Sequence, residues 1–411
     1  MSVAFADVER AAGLVAGHVV RTPTFPAPAL SALTGAQVFV KYENMQATGA
    51  FKDRGAIVRL AALSAEERRR GVVAMSAGNH AQAVALHATR MGVPATIVMP
   101  KPTPIVKAEK TQGYGARVIL TGETLADCEP VVRDLIARDG LTLVHPFDDP
   151  HVIAGQGTAA LELLADAPDL DALLVPVGGG GLVSGAAIVA RQLRPRMQVI
   201  GVEAGLYPSF WNALGQGAEP IGGPTLAEGI AVKNVGKLTL EIVRAKVDRI
   251  MLVDESQLER AVNAFATLQR TMAEGAGAAG LAALLAEPKS FAGKRVGVIL
   301  SGGNIDARLL AAIMVRELER GGRVVHIRVT AADRPGLLGV ITSTIGEQGG
   351  NILEVSHRRL MLDVPAKGVS VDITMETKGL THTQDILHAL ARHGLASRRL
   401  GRSGEIDPLA D

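Results

Sequence analysis

The residue with the most evident chemical use is Lys52, in the run TGAFKDRG from Thr48 to Gly55. This run follows a predicted strand and a turn, and it opens a predicted helix, so the amine lies in the first helical turn. The helix macrodipole favours anions at that position, which makes lysine a poor structural choice there. An isolated lysine of this kind is usually a solvated surface residue. Its placement nevertheless indicates that the amine has a chemical role.

A second run, Ser76–Gln82, follows the predicted strand Val72–Met75. It places hydroxyl, amide and backbone N–H donors at the carboxyl end of a strand, where open α/β sheets bind ligands. A small anion such as an α-carboxylate suits these donors. Taken alone, Ser76 or Asn79 is equally well explained as an ordinary helix N-cap.

A third run consists of four glycines, Gly178–Gly181, followed by Leu182. Successive glycines let backbone N–H groups converge on a phosphate at the start of a helix. The spacing is not the G-x-G-x-x-G of a dinucleotide loop, and no Walker lysine follows. A bare strand-to-helix turn remains the alternative.

The fourth run, Leu300–Asn304, ends another apolar strand and contains Ser301. This serine is a neutral donor and acceptor placed where a heteroaromatic nitrogen could meet it, although a lone capping serine would look the same. A reactive amine, a phosphate-binding loop, a carboxylate-binding turn and a neutral ring partner are together the components of a pyridoxal-phosphate site.

The elements that must position these residues alternate between short β-branched runs and amphipathic stretches. This alternation predicts an α/β architecture with parallel sheets between helices. The predicted strands are Val38–Lys41, Val72–Met75, Ala95–Met99, Arg117–Leu120, Leu141–Val144, Ala172–Val177, Gln198–Val202, Arg249–Val253 and Arg295–Leu300, with helices predicted at Gln82–Met91, Ala126–Arg138 and Asp306–Glu319.

The pattern changes near Arg320–Arg323, and a compact new cycle follows. Its order, βαββαβ, is the ferredoxin-like pattern and predicts a separate small domain. The predicted segments are Val324–Val329, Gly336–Gln348, Asn351–Arg359, Gly368–Thr377, Thr383–His393 and Ala396–Leu400.

Composition excludes several functional classes. The 411 residues carry a formal net charge of +2 without a long basic run, so nucleic acid is not an expected partner. No apolar stretch is long enough to span a bilayer and no signal peptide is evident, so no membrane partner is expected. Cys128 is the one cysteine and cannot form an internal disulfide, which fits a cytoplasmic protein.

Six motifs in order between residues 43 and 306 resemble the fold-type II pyridoxal-phosphate enzymes, within them the threonine dehydratase and serine racemase branch. The motifs are ENMQATGAFKDRGA, SAGNHAQ, HPFDDPHVIAGQGT, PVGGGGLVSG, TLAEGIAV and LSGGNID. The segment Asp333–Arg359 resembles an ACT domain, a regulatory amino-acid-binding module. The resemblance implies two three-layer α/β/α subdomains with mostly parallel sheets in residues 1–320, the smaller at about 45–145, and an ACT domain in 324–403.

The resemblance also implies roles for individual residues. Lys52 would hold pyridoxal 5′-phosphate as a Schiff base and act as general base, with Phe51 packed beside the ring. The phosphate would bind at Gly178, Gly179, Gly180, Gly181 and Leu182, the 3′-oxygen would meet Asn79, and Ser301 would face the pyridine nitrogen. The substrate carboxylate would bind among Ser76, Ala77, Gly78, Asn79 and His80.

Two of these residues bear on the reaction. Serine at position 301 cannot keep the ring fully protonated as a carboxylate would, which favours expulsion of a β-substituent. Ala77 stands where serine racemases carry a second serine, so little racemase activity is expected. Glu203 and Glu228 resemble positions that hold a divalent or monovalent cation in some relatives, which leaves a bound cation as a hypothesis.

The sequence therefore predicts β-elimination from L-threonine to 2-oxobutanoate and ammonia, with L-serine as a slower substrate. A serine dehydratase or racemase and a hydroxyaspartate dehydratase remain open alternatives, and outside catalysis a retired amino-acid sensor or a nucleotide-binding Rossmann protein. A branched-chain amino acid such as isoleucine is the expected effector at the ACT domain, although that domain could also serve only for dimerisation. A homodimer or homotetramer is expected.

Overall fold

The computed structural model describes residues 2–358 and 367–400. The chain divides into two compact units, Met1–Asp306 and Ala307–Asp411. This boundary lies earlier than the expected limit at residue 320, because the helix that begins at Ala307 groups with the second unit. The predicted domain 324–403 includes residues 359–366 and 401–403, which lie outside the described residues, as does the Arg359 that ends the Asp333–Arg359 segment.

The described part of the first unit contains two sheets. The larger has the strand order β1-β2-β10-β7-β8-β9, and the smaller has the order β5-β4-β3-β6. Their strands are β1 (Thr24–Pro26), β2 (Gln37–Tyr42), β3 (Val72–Met75), β4 (Ala95–Met99), β5 (Arg117–Leu120), β6 (Thr142–Leu143), β7 (Ala172–Pro176), β8 (Gln198–Ala204), β9 (Arg249–Val253) and β10 (Arg295–Leu300).

Every pairing in both sheets is parallel except that of β1 with β2. The parallel strands are short apolar runs, and all five residues of β7 are buried, as expected for strands covered on both faces. The predicted α/β architecture with mostly parallel sheets is confirmed. Strand β1 was not predicted, because three residues that include Pro26 give too short a pattern for detection.

Within residues 2–306, fourteen α-helices cover these sheets. They are α1 (Phe5–Val15), α2 (Pro28–Thr34), α3 (Lys52–Ala61), α4 (Ala65–Arg70), α5 (Asn79–Arg90), α6 (Ile105–Gly113), α7 (Leu125–Asp139), α8 (Pro150–Asp166), α9 (Gly181–Leu193), α10 (Ser209–Ala213), α11 (Lys237–Lys246), α12 (Glu255–Leu268), α13 (Gly275–Ala286) and α14 (Pro288–Phe291). Short 3-10 turns occupy Glu43–Met45 and Glu228–Ile230.

Helix α3, which begins at Lys52, is fixed by close packing against α8. A Cβ atom added to Gly155 would lie 2.6 Å from the Arg54 carbonyl oxygen, so glycine allows the two helices to approach at backbone distance. The Gly55 N–H donates to Gln156 Oε1 over 3.2 Å. Because these contacts are buried, the start of α3 has little freedom to shift relative to the larger sheet.

Each sheet has its own apolar core. The larger core joins the faces of α1, α8 and α9 to strands β7 and β8 and includes Ile153, Leu163 and Leu173. The smaller core joins α3 and α5 to β3 and β4 and includes Leu60 and Ile97. Helix α3 contributes to both cores, so the lysine at its start lies where the two sheets meet.

The second unit has the predicted βαββαβ order after an initial helix. Its antiparallel sheet has the order β12-β13-β11-β14, and one face of it is covered by helices through a core that includes Ile327, Ile341, Ile373 and Ile386. The elements are α15 (Ala307–Arg320), β11 (Val324–Ala332), α16 (Leu337–Glu347), β12 (Asn351–Arg358), β13 (Gly368–Glu376), α17 (Leu380–Arg392) and β14 (Ala396–Arg399).

Among the helices that the structure describes, none combines the length and the apolar character needed to cross a membrane.

Candidate active site

The amine of Lys52 lies in a partly buried position at the start of α3. Its Nζ donates to the carbonyl oxygen of Pro146 over 2.7 Å and lies 5.1 Å from the ring centre of Phe51. Burial lowers the pKa of Lys52 to about 8, against the opposing negative charge of Glu274. About a tenth of this amine is therefore uncharged at pH 7, far more than for a lysine of ordinary pKa, and the uncharged form is the one that a nucleophile or base requires.

Backbone hydrogen bonds join the turn before Lys52 to the turn that follows β10. The N–H of Phe51 donates to the carbonyl oxygen of Ser301 over 3.0 Å, and Ala50 pairs with Gly302 in an isolated antiparallel bridge. Ser301 is only 3% exposed. The structure thus brings Lys52 and Ser301, which are 249 positions apart in sequence (301 − 52), to the same edge of the larger sheet.

The glycine loop Gly178–Gly181 follows β7 and leads into α9. Gly180 adopts a φ of +91°, a left-handed conformation that favours glycine. A Cβ atom on Gly179 would lie 2.1 Å from Cγ and Cδ1 of Phe147, so this aromatic ring occupies the space that the glycine leaves. Phe147 is next to Pro146, the residue that accepts the hydrogen bond from Lys52, and one short segment therefore contacts both the amine and the glycine loop.

The same loop presents donors suited to an anion. The first N–H that bonds back within α9 is that of Ser184, which donates to the Gly180 carbonyl over 2.9 Å. In the described chain, the N–H groups of Gly181, Leu182 and Val183 are therefore the open donors of the first helical turn. Together with the positive end of the helix dipole, they form a site suited to a phosphate.

The run Ser76–His80 lies at the end of β3 and the start of α5. The Ser76 hydroxyl accepts the N–H of Gly78 over 3.2 Å, and Ala77 packs against the core of the smaller sheet. The His80 ring is buried, with Nε2 at 2.8 Å from the Val144 carbonyl. Burial lowers the pKa of His80 to about 3. The imidazole is thus neutral and bound to Val144, so a role of His80 in carboxylate binding falls to its backbone N–H.

Asn79 is held by two residues to which sequence reasoning assigned no role. Its Nδ2 donates to Glu274 Oε1 over 2.7 Å, and its Oδ1 accepts from Asn304 Nδ2 over 2.8 Å. The Asn304 amide also donates to the Thr48 carbonyl over 2.7 Å. A sequence signal for Glu274 existed, since it is a lone acidic residue before the wholly apolar helix α13, but nothing in the sequence indicates its proximity to Asn79.

A buried ionic network supports the same region. Arg54, two residues after Lys52, bonds through Nε to Glu43 over 2.7 Å and through Nη2 to Glu162 over 2.7 Å. Lys41 joins Glu162 over 2.6 Å. Thr158 also contacts Arg54, at 3.1 Å from Nη1. The charges of α3, α8 and the 43–45 turn are thereby paired with one another, with Arg54, Lys41 and Glu43 fully buried, which fixes the orientation of the first turn of α3.

The two glutamates expected at a cation site have other partners. Both carboxylate oxygens of Glu203 accept backbone N–H groups at the start of α10, from Phe210 over 2.8 Å and Trp211 over 2.9 Å. Glu228 is exposed and binds Lys107 over 2.6 Å. In residues 2–358 and 367–400, no group of three or more His, Cys, Asp or Glu side chains is arranged to hold a metal. A cation held by Glu203 and Glu228 stays a prediction, and it would require both carboxylates to exchange these partners for the ion.

A family model described as "Pyridoxal-phosphate dependent enzyme" matches residues 15–302. This segment runs from the first helix to Gly302 and contains Lys52, the glycine loop and Ser301. The chain belongs to the pyridoxal-phosphate-dependent enzyme family. The predicted cofactor is confirmed, and the predicted fold-type II architecture of the first unit is confirmed with it.

Three relatives of this pyridoxal-phosphate enzyme show the range of its similarities. It is 42% identical over 397 residues to the L-threonine ammonia-lyase of Thermotoga maritima, covering 96% of this chain and 99% of the relative. It is 41% identical to the L-threo-3-hydroxyaspartate ammonia-lyase of Saccharomyces cerevisiae, covering 75% and 96%. The crystal structure of serine racemase from Dictyostelium discoideum aligns with a TM-score of 0.70 at 37% identity, covering 74% and 100%.

The residues in place fit pyridoxal phosphate. The N–H groups at the start of α9 suit its phosphate, and the uncharged fraction of the Lys52 amine suits attachment to its aldehyde. Only glycine at position 179 leaves room for the ring of Phe147. Because this residue has no side chain, the loop backbone can approach the cofactor phosphate closely. When bound, the cofactor withdraws electrons from the α-carbon of an amino acid.

Proposed function

We propose that this enzyme converts L-threonine to 2-oxobutanoate and ammonia by β-elimination, with L-serine as a secondary substrate. The observation that carries the proposal is the placement of one acid–base amine, Lys52, beside the neutral Ser301, while Ala77 brings only a methyl group to the carboxylate-binding run. A single proton-transfer group suits removal of the α-proton followed by loss of the β-hydroxyl. Reprotonation from the opposite face, as racemisation requires, has no donor at position 77.

In this proposal each part of the site has one task. The donors of Ser76–His80 bind the substrate carboxylate, and the N–H groups at the start of α9 bind the cofactor phosphate. Lys52 would accept the α-proton of the substrate, and either Lys52 or the cofactor phosphate would give a proton to the β-hydroxyl, which would leave as water. Hydrolysis of the released enamine by a second water would then give the 2-oxo acid and ammonia. Ser301 offers a hydroxyl to the ring nitrogen without fixing a positive charge there.

Similarity over the whole chain supports threonine over the alternatives. The match to the L-threonine ammonia-lyase covers 96% of this chain and so extends through the second unit. The match to the L-threo-3-hydroxyaspartate ammonia-lyase covers 75%. Hydroxyaspartate is therefore the second candidate substrate, since its β-hydroxyl leaves by the same chemistry.

Steady-state turnover with L-threonine, L-serine and L-threo-3-hydroxyaspartate tests the substrate assignment. The 2-oxo acid products and the ammonia are quantified directly, and the D-amino acids formed are resolved by chiral chromatography. We expect kcat/KM for L-threonine to exceed that for either competitor. A higher kcat/KM for hydroxyaspartate, or formation of D-serine as the main product, contradicts the proposal.

The variant Lys52→Ala tests the proposed role of the amine. We expect it to lose the visible absorbance of the lysine-bound cofactor and all measurable turnover. Lys101→Ala is the matched control, because Lys101 is an exposed lysine of the same unit, and it should keep both. Wild-type absorbance in Lys52→Ala would show that another group holds the cofactor.

We further propose that the second unit is an ACT domain that binds a branched-chain amino acid. Its βαββαβ order supports this, as does the turn before α16, where Gly336 has a φ of +84° and no atom lies within 4 Å of an added Cβ. The backbone there is open to the charged ends of a ligand. Titration of L-isoleucine and L-valine against threonine turnover tests the idea, with D-isoleucine as control. An unchanged rate and cooperativity would leave the domain without this regulatory role.

We propose that the protein is a homo-oligomer, in keeping with paired ACT modules. Sedimentation equilibrium of the holoenzyme distinguishes a dimer from a tetramer, and a monomer across the micromolar range contradicts the proposal.

A further inference from the structure

Glu274 is the N-cap residue of α13, and its surroundings place its carboxylate inside the site. Its backbone N–H donates to the Gly302 carbonyl over 3.1 Å, directly after Ser301. It is the acidic residue whose charge acts on Lys52. The buried helix that follows is composed of glycine, alanine and leucine, so no side chain of α13 itself neutralises the carboxylate.

Two glycines leave the space that this carboxylate occupies. A Cβ atom on Gly302 would lie 2.5 Å from Glu274 Oε1, and one on Gly229 would lie 3.3 Å from the same oxygen. Any other residue at 302 would push the carboxylate out of its position. The carboxylate is therefore held in a slot between the turn after β10 and the turn Glu228–Ile230.

The hydrogen bonds around Asn79 give that carboxylate a defined task. Asn304 presents its Nδ2 to Asn79 Oδ1 over 2.8 Å, so the Asn79 amide must point its own Nδ2 the other way. That Nδ2 meets Glu274 Oε1 at 2.7 Å. Because Asn304 also donates to the backbone at Thr48, the chain from Thr48 to Glu274 fixes which face of the Asn79 amide is the donor.

We propose that Glu274 is a positioning residue that orients the Asn79 amide and, through its negative charge, stabilises the proton on the nitrogen of Lys52. The proposal rests on Lys52 as the residue that carries the cofactor, which belongs to the proposed function. It assigns to Glu274 the control of the pH at which the lysine nitrogen loses its proton.

Electrostatics agree with this geometry. Burial raises the pKa of Glu274 to about 7, and the hydrogen bond from Asn79 opposes that rise. The charged groups that face Glu274 are Lys52 from α3, Lys107 from α6 and Glu228 from the turn Glu228–Ile230. Lys107 and Glu228 form an ion pair with each other, and the charges of Lys107 and Lys52 both lower the pKa of Glu274. His80 and His145 also face Lys52, and burial lowers the pKa of both imidazoles.

The variant Glu274→Gln tests the proposal, because glutamine keeps an oxygen for Asn79 but cannot carry charge. The readout is a pH titration of the visible absorbance of the lysine-bound cofactor, in holoenzyme without substrate. We expect the titration midpoint to fall by about one pH unit, since a nearby negative charge favours the protonated nitrogen. A midpoint within about 0.2 units of wild type overturns the proposal.

Two further variants separate charge from shape. Glu274→Asp retains the charge but shortens the side chain, and we expect it to restore most of the wild-type midpoint while weakening cofactor binding. If Glu274→Gln does not fold, Glu274→Asp alone tests the proposal. A wild-type cofactor affinity in Glu274→Asp would show that the position of the carboxylate does not orient Asn79, and it would overturn the proposal. Glu129→Gln is the matched control, because Glu129 is 60% exposed on α7 and is not among the charges that act on Glu274, and its midpoint should stay at the wild-type value.

The titration of the Glu274 variants does not depend on which substrate the enzyme uses, because it is carried out without substrate. A wild-type protein whose cofactor absorbance disappears in Lys52→Ala, but which does not turn over threonine, would contradict the proposed function and leave the Glu274 titration fully readable. Conversely, normal threonine turnover with an unshifted Glu274→Gln midpoint would overturn only the role of Glu274.

Discussion

The backbone N–H of Phe51 donates to the carbonyl oxygen of Ser301 over 3.0 Å. The residue before the reactive lysine is thus tied to the residue proposed to face the ring nitrogen. Since the bond uses main-chain atoms only, the Ser301 hydroxyl can be removed without releasing Lys52.

Ser301→Ala should therefore lower turnover without disturbing the fold. We expect kcat to fall about tenfold, which is the effect of losing one neutral hydrogen bond, while the thermal midpoint stays close to wild type. Steady-state kinetics and thermal unfolding of the holoenzyme check this. Ser290→Ala, at an exposed serine of the same unit, is the control, and equal kcat in the two variants would argue against a role for the Ser301 hydroxyl.

Gly179→Ala should impair cofactor binding, because the added methyl group cannot coexist with the ring of Phe147. We expect the Kd for pyridoxal phosphate to rise by on the order of 100-fold as the glycine loop is displaced from the start of α9. Titration of the apoenzyme by absorbance measures this. Gly13→Ala is the control, since Gly13 lies in α1 with no atom within 4 Å of an added Cβ. Similar affinities for both variants would contradict the packing argument.

Arg54→Met should destabilise the first unit strongly. It leaves the buried carboxylate of Glu43 without its guanidinium partner, and breaking a buried ion pair from one side costs about 3–5 kcal/mol. Urea unfolding at neutral pH measures the loss. Arg10→Met, which removes an exposed partner of Asp7, should change the free energy of unfolding by less than about 0.5 kcal/mol.

The stability lost in Arg54→Met should depend on pH, and the direction of that dependence follows from the pKa of Glu43. Burial alone would raise the pKa of Glu43, but the charge and hydrogen bonds of Arg54 outweigh it and hold the pKa below its ordinary value. A carboxyl with a lowered pKa stabilises the fold above its ordinary pKa and loses that contribution as pH falls through the folded value. The stability gap between wild type and Arg54→Met should therefore narrow in acid, and a gap that widens would contradict this account.

Attachment of the cofactor to the apoenzyme should accelerate with pH and level off above about pH 8. The free amine is the nucleophile, and burial lowers the pKa of Lys52 from 10.5 to about 8. Stopped-flow absorbance at a fixed cofactor concentration measures the rate. A rate that still rises between pH 9 and 10 would indicate an ordinary solvated lysine.

Local pattern explains most of what could be predicted from sequence. The strands Val72–Met75, Ala95–Met99, Arg249–Val253 and Arg295–Leu300 have the bounds that were predicted, because each is a short apolar run ended by glycine, proline or a polar residue. The runs containing Lys52, Asn79, Gly178–Gly181 and Ser301 were recognisable for a related reason. Each lies at the carboxyl end of a strand, where sequence and position in the fold coincide.

The parts that were missed depend on contacts between distant segments. Glu274 and Asn79 are 195 positions apart, and no local pattern reports their hydrogen bond. His80 could be placed at the start of a helix, but the burial of its ring against Val144 depends on the neighbouring strand. The partners of Glu203 were missed for the same reason, since they come from the following helix.

The packing of Phe147 against Gly179 also has an evolutionary consequence. A larger residue at 179 requires a smaller one at 147, and a smaller ring at 147 leaves an unfilled space beside the phosphate-binding loop. A substitution at either position requires a compensating substitution at the other, so the two are expected to co-vary among homologues. Because Phe147 adjoins the carbonyl that binds Lys52, such a paired exchange would also alter the reactivity of the lysine, which makes these two positions a natural starting point for directed evolution of this enzyme.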